Sequence, residues 1–541
     1  AFEDAAGGVT FKEGGTNFSN SLLVGTDGTG TLSSATGNTG VGTSVLAALT
    51  SGDRNTAIGI ESMNDITTGA DNVAVGNNSL DETTTGTNNT AVGGYSLSEN
   101  TTASGNTAVG NVSLYCNTTG ANNVAVGFCS LRANTTAADS TAMGAESLKD
   151  HTTGGNNTAY GAYSAANTTT GQGNVALGRA ALETNTTGNY NVAVGQSALL
   201  ANTTANEIVA IGASALLSNT TGTDNTAVGF CALKSNTTGD RNTAMGYLAL
   251  STMTTVADNT AVGYKAMTAN TSGSNNTAVG KDAMLANTTG ANNVAIGQNA
   301  LETNTTGAKH TALGQDAGKK TTTGDDITAV GFQALHCNTT GFMNIAVGST
   351  ALRLNTTAGC NVAMGYGAMA AVTTGCKNTG IGTYAMNNLT TGINNIGIGR
   401  GAGADAMANF SSSESNKIAL GNNSHDTAYI KIDWTVTSDL RDKTNIETVP
   451  HGLNFVNQLN PIKYRFKTSR ENDTPTGVTR YGFKAQEILA LEGDNPVLIN
   501  NSDENALKLT SAYLVPVLVN AIKELKAEND SLKTRIEALE S

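Results

Sequence analysis

Residues 107–123 read Thr-Ala-Val-Gly-Asn-Val-Ser-Leu-Tyr-Cys-Asn-Thr-Thr-Gly-Ala-Asn-Asn, and the next 17 residues follow the same pattern from Val124. Units of this length succeed one another without an insertion from Thr39 to Asn395, which gives 21 full repeats, and a partial unit starts at Ile396. An uninterrupted period of this kind is typical of a protein in which each unit packs only on its neighbours. The repeat therefore decides the fold of most of the 541-residue chain.

Four positions of the unit carry the pattern. Position 4 is glycine in every repeat, and position 13 is always threonine or serine. Position 3 is apolar except at Tyr160, and position 8 is leucine or methionine except at Ala165 and Gly318. Glycine, asparagine and threonine are poor residues for a helix interior, whereas β-branched residues favour strands and Asn-Thr-Thr-Gly favours a turn. We interpret positions 1–4 as a short strand, positions 7 and 8 as a second buried segment, and the remainder as a turn.

These units predict a mainly β protein built around a parallel β-solenoid, in which each coil, or rung, pairs with the rungs above and below it. At about 4.8 Å per rung the array would form a rod on the order of 100 Å long. Each rung offers only two sizeable apolar side chains, for example Val126 and Leu131, so one isolated chain buries little apolar area. We therefore expect several chains to associate along the rod and share a core.

Residues 39–403 resemble the head repeats of trimeric autotransporter adhesins of the YadA type. In that family, units of the form Asn-x-Val-Ala-Ile-Gly-x-x-Ala form left-handed parallel β-rolls in a trimer. The resemblance implies a homotrimeric β-roll shaft. The present unit differs in its longer Asn-Thr-Thr-Gly-x-x turn.

Composition and charge exclude several classes of function. The net charge of −13 disfavours nucleic acid and anionic membrane as partners, because both attract clustered lysine and arginine. No run of 18 apolar residues occurs, and residues 1–4 (Ala-Phe-Glu-Asp) lack the features of a signal peptide. The six cysteines have no CxxC spacing and are expected to be mostly free thiols, with a Cys360–Cys376 bridge as the alternative. We predict no cofactor, no metal site, no nucleic-acid partner and no membrane insertion.

The recurring Asn-Thr-Thr triplets, such as residues 117–119, allow more than one interpretation. They satisfy the rule for N-glycosylation acceptors. They also suit a turn in which asparagine side chains form hydrogen bonds from rung to rung, which is the interpretation that we favour. A regular threonine ladder that matches an ice lattice is a further alternative.

The most specific signal lies between residues 438 and 487. An ordered series of motifs is found there: residues 438–446 (Ser-Asp-Leu-Arg-Asp-Lys-Thr-Asn-Ile), 452–455 (Gly-Leu-Asn-Phe), 459–461 (Leu-Asn-Pro), Tyr464, and 481–487 (Tyr-Gly-Phe-Lys-Ala-Gln-Glu). This series resembles the C-terminal intramolecular chaperone of phage endosialidases, tailspikes and neck appendages, which is also a self-processing serine peptidase. The resemblance implies that Ser438 and Lys443 form a catalytic dyad that cuts the chain beside Ser438 after the trimer has assembled.

The residue types suit that chemistry. A serine hydroxyl becomes a useful nucleophile when a neighbouring base takes its proton, and a lysine that is buried or close to another cation can be that base. Arg441 would be the neighbouring cation, and Asp439 would orient the loop. The competing interpretation is that Ser438 and Asp439 simply cap the start of a helix.

The last segment carries a heptad pattern. The first core position of the heptad is occupied by Val515, Ile522, Asn529 and Ile536. The second is occupied by Leu518, Leu525, Leu532 and Leu539. This pattern predicts a parallel coiled coil, and on its own it favours two strands with Asn529 fixing the register. The number of three chains comes from the family resemblance.

The predicted domains are an N-terminal attachment or capping segment (1–38), the β-solenoid shaft (39–403), a capping rung with a linker strand at 426–434 (404–435), an α+β chaperone and auto-processing domain (436–510), and a coiled coil (511–541).

We expect a trimeric phage or viral tail fibre, or a tailspike-like protein, located in the virion and assembled in the host cytoplasm. Its expected partners are virion or tail baseplate proteins and a host surface glycan or protein receptor. A cell-surface trimeric adhesin and an ice-binding protein are the alternatives. Apart from self-cleavage no enzymatic activity is predicted, because the rungs lack the recurrent paired carboxylates of glycan-degrading sites.

Overall fold

The computed structural model describes residues 11–13, 18–25, 32–404, 410–422, 424–425, 438–467, 471–501 and 507–540. They belong to two units, of which the first contains the described residues up to Ala404 together with Phe410–Leu420, and the second begins at Gly421. The linker strand predicted at residues 426–434 lies outside the described residues.

The shaft contains one three-residue strand per repeat, always at positions 1–3. These strands are Thr39–Val41, Thr56–Ile58, Val73–Val75, Thr90–Val92, Thr107–Val109, Val124–Val126, Thr141–Met143, Thr158–Tyr160, Val175–Leu177, Val192–Val194, Val209–Ile211, Thr226–Val228, Thr243–Met245, Thr260–Val262, Thr277–Val279, Val294–Ile296, Thr311–Leu313, Thr328–Val330, Ile345–Val347, Val362–Met364, Thr379–Ile381 and Ile396–Ile398.

Each strand pairs in parallel with the equivalent strand 17 residues later, as Ala108 does with Ala125. The sheet is extended by Leu22–Val24 next to the first of these strands and by Ile418–Leu420 next to the last. Phe11–Glu13 pairs antiparallel with Leu22–Val24, and Phe18–Ser19 pairs with Ala35–Thr36. The mainly β fold with a parallel, 17-residue-repeat solenoid, as predicted from the sequence, is confirmed.

Backbone hydrogen bonds connect the rungs outside the strands as well. The backbone N–H of Leu114 donates to the carbonyl oxygen of Ser130 at 2.9 Å, and that of Thr118 donates to Thr135 at 2.9 Å. Backbone groups of positions 8 and 12 are thus satisfied by the neighbouring rung. A stack of this kind leaves few unpaired polar groups in its interior.

Three non-glycine positions of the rung adopt left-handed backbone conformations. In the rung that starts at Thr107 these are Val112 (φ 51°), Leu114 (φ 52°) and Asn122 (φ 58°), at positions 6, 8 and 16. The sequence predicted that position 8 would be buried, and it is, but not that a leucine there would have a positive φ. This conformation is unfavourable for most L-residues, so the hydrogen bonds to the neighbouring rungs must hold it in place.

The glycine at position 4 is required by both conformation and space. Gly229, for example, has a φ of +134°. A Cβ added to it would lie only 2.5 Å from the carbonyl oxygen of Gly246 on the next rung. Any other residue would strain the backbone and push the two rungs apart.

The interior of the shaft is narrow and partly polar. Ala108 and Leu114, at positions 2 and 8, are fully buried, and so are Asn117 and Asn123, at positions 11 and 17. Val109 at position 3 is 37% exposed, because successive strand residues point to opposite sides. The large apolar side chain at position 3 therefore lies outside the core of its own chain.

The C-terminal unit is an α+β domain. It contains helix α1 (Leu453–Asn457), the antiparallel strands Ile462–Lys467 and Pro475–Gly482, helix α2 (Ala485–Glu492), the short strands Ile499–Asn500 and Lys508–Leu509, and helix α3 (Leu514–Glu540). Two 3-10 turns lie at Leu440–Asp442 and Ser511–Tyr513. The core of this unit is formed by Phe455, Ile488, Leu498, Ile499, Leu514 and Val517.

Helix α3 has two apolar faces. Leu514, Val517 and Ala521 are buried. The heptad residues are exposed in the single chain, and those with large exposed fractions are Val515, Leu518, Ile522, Leu525, Leu532, Ile536 and Leu539. The helix predicted for residues 511–541 is therefore present over 514–540, and the described part of the chain leaves its heptad stripe exposed.

Candidate functional site

Ser438 and Lys443, the two site residues predicted from the sequence, lie next to each other. The amine Nζ of Lys443 donates a hydrogen bond to the hydroxyl Oγ of Ser438 at 2.8 Å. The 3-10 turn at Leu440–Asp442 separates them and reverses the chain. The turn thus brings the hydroxyl of Ser438 into direct contact with the amine of Lys443, five residues later in the sequence.

Asp439 stabilises this turn. Its carboxylate accepts a hydrogen bond from the backbone N–H of Arg441 at 2.9 Å, and it forms an ion pair with the guanidinium group of Arg441 at 2.6 Å. These contacts hold the pKa of Asp439 below its usual value. Asp439, rather than Ser438, is the capping residue, which leaves the Ser438 hydroxyl to Lys443. The predicted role of Asp439 in orienting the loop agrees with this geometry, whereas an effect of Arg441 on Lys443 stays a prediction.

The arrangement has the geometry that proton transfer from serine to lysine requires, since the two heavy atoms are within hydrogen-bond distance. A lysine acts as a base, however, only when burial or a neighbouring cation favours its neutral form. Ser438 and Lys443 are both exposed in the single chain. A further chain that covered this loop would supply the missing burial.

The other motif residues of this region are structural. Phe455 is part of the domain core, and Tyr464 lies opposite Arg480 in the antiparallel strand pair. The segment Ala-Gln-Glu at 485–487 opens helix α2, which contributes Ile488 to the same core. These motif residues therefore specify the fold of the domain that follows the loop with Ser438 and Lys443.

Sequence reasoning missed three polar residues that hold this domain together. The Glu524 carboxylate accepts a hydrogen bond from the backbone N–H of Leu453 at 2.6 Å, and the Asn520 amide donates to the carbonyl oxygen of His451 at 3.0 Å. Glu492 accepts the backbone N–H groups of residues 497, 498 and 499. Asn520 and Glu524 bond to groups about 70 positions away, and nothing in the local sequence indicates such contacts.

The remaining candidate features in the described part of the chain are metal sites, a disulfide bond and membrane-spanning helices. No group of three or more histidine, cysteine, aspartate or glutamate side chains is placed to hold a metal ion there. All six cysteines are free thiols, so the alternative of a Cys360–Cys376 bridge is wrong. Among the helices described, none has the length and apolar character needed to cross a membrane.

The threonines of the Asn-Thr-Thr triplets form two columns along the shaft. The Thr118 hydroxyl at position 12 donates to the carbonyl oxygen of Thr135 at 3.1 Å, whereas Thr119 at position 13 is exposed. Asn117 is fully buried and its amide is hydrogen-bonded, so a glycosylating enzyme could not reach it in the folded shaft. The ice-binding alternative stays a prediction that rests on the single exposed column.

Comparison with known families gives a match within the C-terminal unit. Residues 438–495 match the family model described as chaperone of endosialidase. No match to the chain was found among curated proteins, and none among solved structures. The family match and the long β-solenoid together fit a tailspike or tail fibre with a C-terminal chaperone domain.

Proposed function

We propose that this chain is one subunit of a homotrimeric tail fibre or tailspike-like protein that attaches a virion to its host. The match of residues 438–495 to the chaperone of endosialidase carries this proposal, because such a domain serves to assemble a fibrous partner, and a 22-strand shaft precedes it. On this proposal the protein is located in the virion and assembled in the host cytoplasm. Its partners are virion or baseplate proteins and a receptor on the host surface.

The exposed apolar residues of the shaft support association into a trimer. The outer stripe, which we define as the side chains at position 3, includes Val41, Ile58, Val92, Val109, Leu177, Ile211, Met245, Ile296, Met364, Ile381 and Ile398, each at least 37% exposed. At about 4.8 Å per rung this stripe runs on the order of 100 Å along the shaft. Monomeric proteins rarely expose apolar surface of that extent, so lateral packing of other copies is the simplest way to cover it.

Helix α3 would hold the same chains together at their C-terminal ends. Its heptad stripe is exposed, and the adjacent face of the helix, with Leu514, Val517 and Ala521, is buried. A parallel coiled coil would cover the stripe with equivalent helices of other subunits.

The Ser438–Lys443 contact supports self-cleavage as part of this proposal. Ser438 would attack the adjacent peptide carbonyl, Lys443 would take its proton, and the proton would pass to the leaving amine. The peptide bond breaks, and the carbonyl group is left as an ester of Ser438. Water then hydrolyses this ester, which separates the shaft from the chaperone domain. Because both side chains are exposed in one chain, burial at a subunit contact would activate the dyad only in the assembled trimer.

The test compares the wild-type protein with Ser438→Ala and Lys443→Ala on denaturing gels and by native mass spectrometry. The wild type is expected to give trimers of a shaft that ends near residue 438 and a released fragment of about 100 residues. Both variants are expected to give uncut trimers of the full 54.8 kDa chain. Wild-type trimers that stay whole would disprove self-cleavage, and a monomeric shaft would disprove the trimeric fibre.

Deleting residues 439–541 tests the chaperone role separately. Long solenoids with unpaired edges need help to find the correct register, so the truncated chain is expected to aggregate. Soluble trimeric shafts from the truncated gene would contradict the chaperone role.

A further inference from the structure

A notch of about 310 Å³ opens on one edge of the shaft, where residues from three consecutive rungs meet. Arg353 comes from the first of these rungs, Tyr366 from the second and Tyr384 from the third. The volume is at the lower end of the range of small-ligand sites and suits one or two sugar rings.

The second rung of the notch, residues 362–378, is unusual in the array. Among the 21 full repeats it is the only one with glycine at position 6, and it has alanine at positions 9 and 10. A Cβ on Gly367 would lie 2.7 Å from Cδ1 of Tyr384, so the tyrosine ring rests directly on the glycine backbone. The floor of the notch therefore depends on the sequence of this one rung.

Two tyrosines form the aromatic wall. The rings of Tyr366 and Tyr384 are 5.2 Å apart between centroids and nearly perpendicular, at 89°. Tyr366 is 50% exposed and Tyr384 is 44% exposed. An edge-to-face pair leaves apolar ring surface and hydroxyl groups open to solvent, and these groups together suit the apolar face and the hydroxyl groups of a pyranose.

Arg353 is the one charged residue among those that line the notch. Arg353 occupies position 9, and Lys319 and His336 occupy the same position on the two preceding rungs. Burial, and with it the charges of Lys320, Lys319 and Arg353, lowers the pKa of His336 against the opposing effect of Asp316. The lowered pKa favours the neutral form of His336, so Arg353 supplies the positive charge at the notch, despite the net charge of −13 of the whole chain.

Arg353 differs from Lys319, two rungs earlier in the column, in having no acidic partner among the described residues. Lys319 pairs with Asp316 at 3.2 Å and with Glu302 at 3.3 Å. No ion pair in the described part of the chain includes Arg353, whose side chain is exposed beside the notch. Its guanidinium group is thus available for a carboxylate, which it can bind through two parallel hydrogen bonds.

We propose that this notch binds one carboxylate-bearing sugar unit of an acidic glycan. The sugar ring lies on the surface formed by Tyr366 and Tyr384, and its carboxylate pairs with Arg353. The inference rests on the proposed attachment function, for which it names the class of receptor.

The test measures binding to the full-length protein by saturation-transfer NMR and calorimetry. The acidic probes are a tetrasaccharide of alternating glucuronic acid and N-acetylglucosamine, and a trimer of galacturonic acid. Chitotetraose is the neutral probe. At least one acidic probe is expected to bind, and at least tenfold more tightly than chitotetraose.

Matched variants locate the site. Arg353→Gln removes the cation, and Ala371→Leu fills the notch with a residue that Leu354 shows to be acceptable at position 10. Each variant is expected to bind the acidic probe at least tenfold more weakly than the wild type does. Arg132→Gln and Ala269→Leu make the same changes at the same positions of other rungs and are expected to leave binding unchanged.

Three results would overturn the proposal: no binding of either acidic probe at millimolar concentration, equal binding of the neutral probe, or equal losses in the variants and their controls. None of these results would alter the number of chains or the cleavage pattern, which test the proposed function. Failure of the glycan site and failure of the fibre proposal are therefore distinguishable.

Discussion

The side-chain amide of Asn117 donates a hydrogen bond to Oδ1 of Asn100 on the preceding rung at 2.9 Å, and both side chains are completely buried. The same amide donates to the carbonyl oxygen of Gly120 at 3.0 Å. A second asparagine ladder runs along position 17, where the backbone N–H of Asn123 donates to Oδ1 of Asn106 and its own Oδ1 accepts from the backbone N–H of Ser140. The amide of Asn123 donates to the carbonyl oxygen of Ala137. The two ladders explain why asparagine both begins and ends the Asn-Thr-Thr-Gly-x-x-Asn segment.

The first prediction concerns Asn117→Asp. This change keeps the shape of the side chain but replaces an amide donor by a carboxylate that faces the oxygen atoms of Asn100 and Gly120. We expect a loss of about 3 kcal/mol or more in the free energy of unfolding, because a negative charge is buried opposite two acceptors and the Asn134 amide gives it a single hydrogen bond. Thermal unfolding monitored by circular dichroism measures the effect.

Asn275→Asp is the matched control for this prediction. Asn275 is exposed at position 16, where other rungs, such as the one with Asp139, already carry aspartate. Its melting temperature should stay close to that of the wild type. Equal melting temperatures for the two variants would show that the buried ladder does not stabilise the shaft.

The second prediction compares Gly229→Ala with Ser235→Ala in the same rung. The new Cβ at position 229 would lie 2.5 Å from the Gly246 carbonyl oxygen, on a backbone with a φ of +134°. We expect this variant to lose about 3 kcal/mol or more, or to misassemble, since both the conformation and the contact are unfavourable. Ser235→Ala creates no such contact and should melt like the wild type. A similar loss in both variants would contradict the role assigned to position 4.

The sequence predicted the solenoid well because the evidence for it is repeated in every unit. The constant glycine, the period without insertions and the alternation of Thr-Ala-Val all depend on local geometry. The positive φ of Leu114 could not be predicted, because leucine has no preference for that conformation and only the neighbouring rungs impose it. The family resemblance implied the contact of Ser438 with Lys443, whereas the Glu524–Leu453 hydrogen bond joins distant residues without a local signal.

The third prediction is a loss of shaft stability in mild acid. His151 and His310 replace asparagines of the two ladders, and burial lowers the pKa of each from 6.5 to about 4. Below pH 6.5 the two histidines are protonated in the unfolded chain but stay neutral in the folded shaft. The free energy of unfolding therefore falls as the pH is lowered to about 4 and then levels off. The expected loss is roughly 3 kcal/mol for each histidine, from the size of the pKa change.

The double variant His151→Asn, His310→Asn checks this origin. It restores the ladder residue at both positions and removes the two groups that titrate between pH 6.5 and 4. Its melting temperature should therefore vary much less over that pH range than that of the wild type. Two parallel curves of melting temperature against pH would assign the acid sensitivity to other groups.

The last prediction tests whether the outer stripe is the contact between subunits. Leu177, Ile211 and Met245 are 37–42% exposed in one chain. Replacing all three with lysine would place charges in the centre of the proposed contact. Such charges are costly to bury without partners, so the triple variant should shift from trimer to monomer in light scattering at micromolar concentration. The control places lysines at Thr187, Thr221 and Thr255, which belong to the same rungs but lie exposed at position 13. It adds the same charge and should remain trimeric. If the stripe variant were as trimeric and as stable as the control, the chains would have to meet through another face of the shaft.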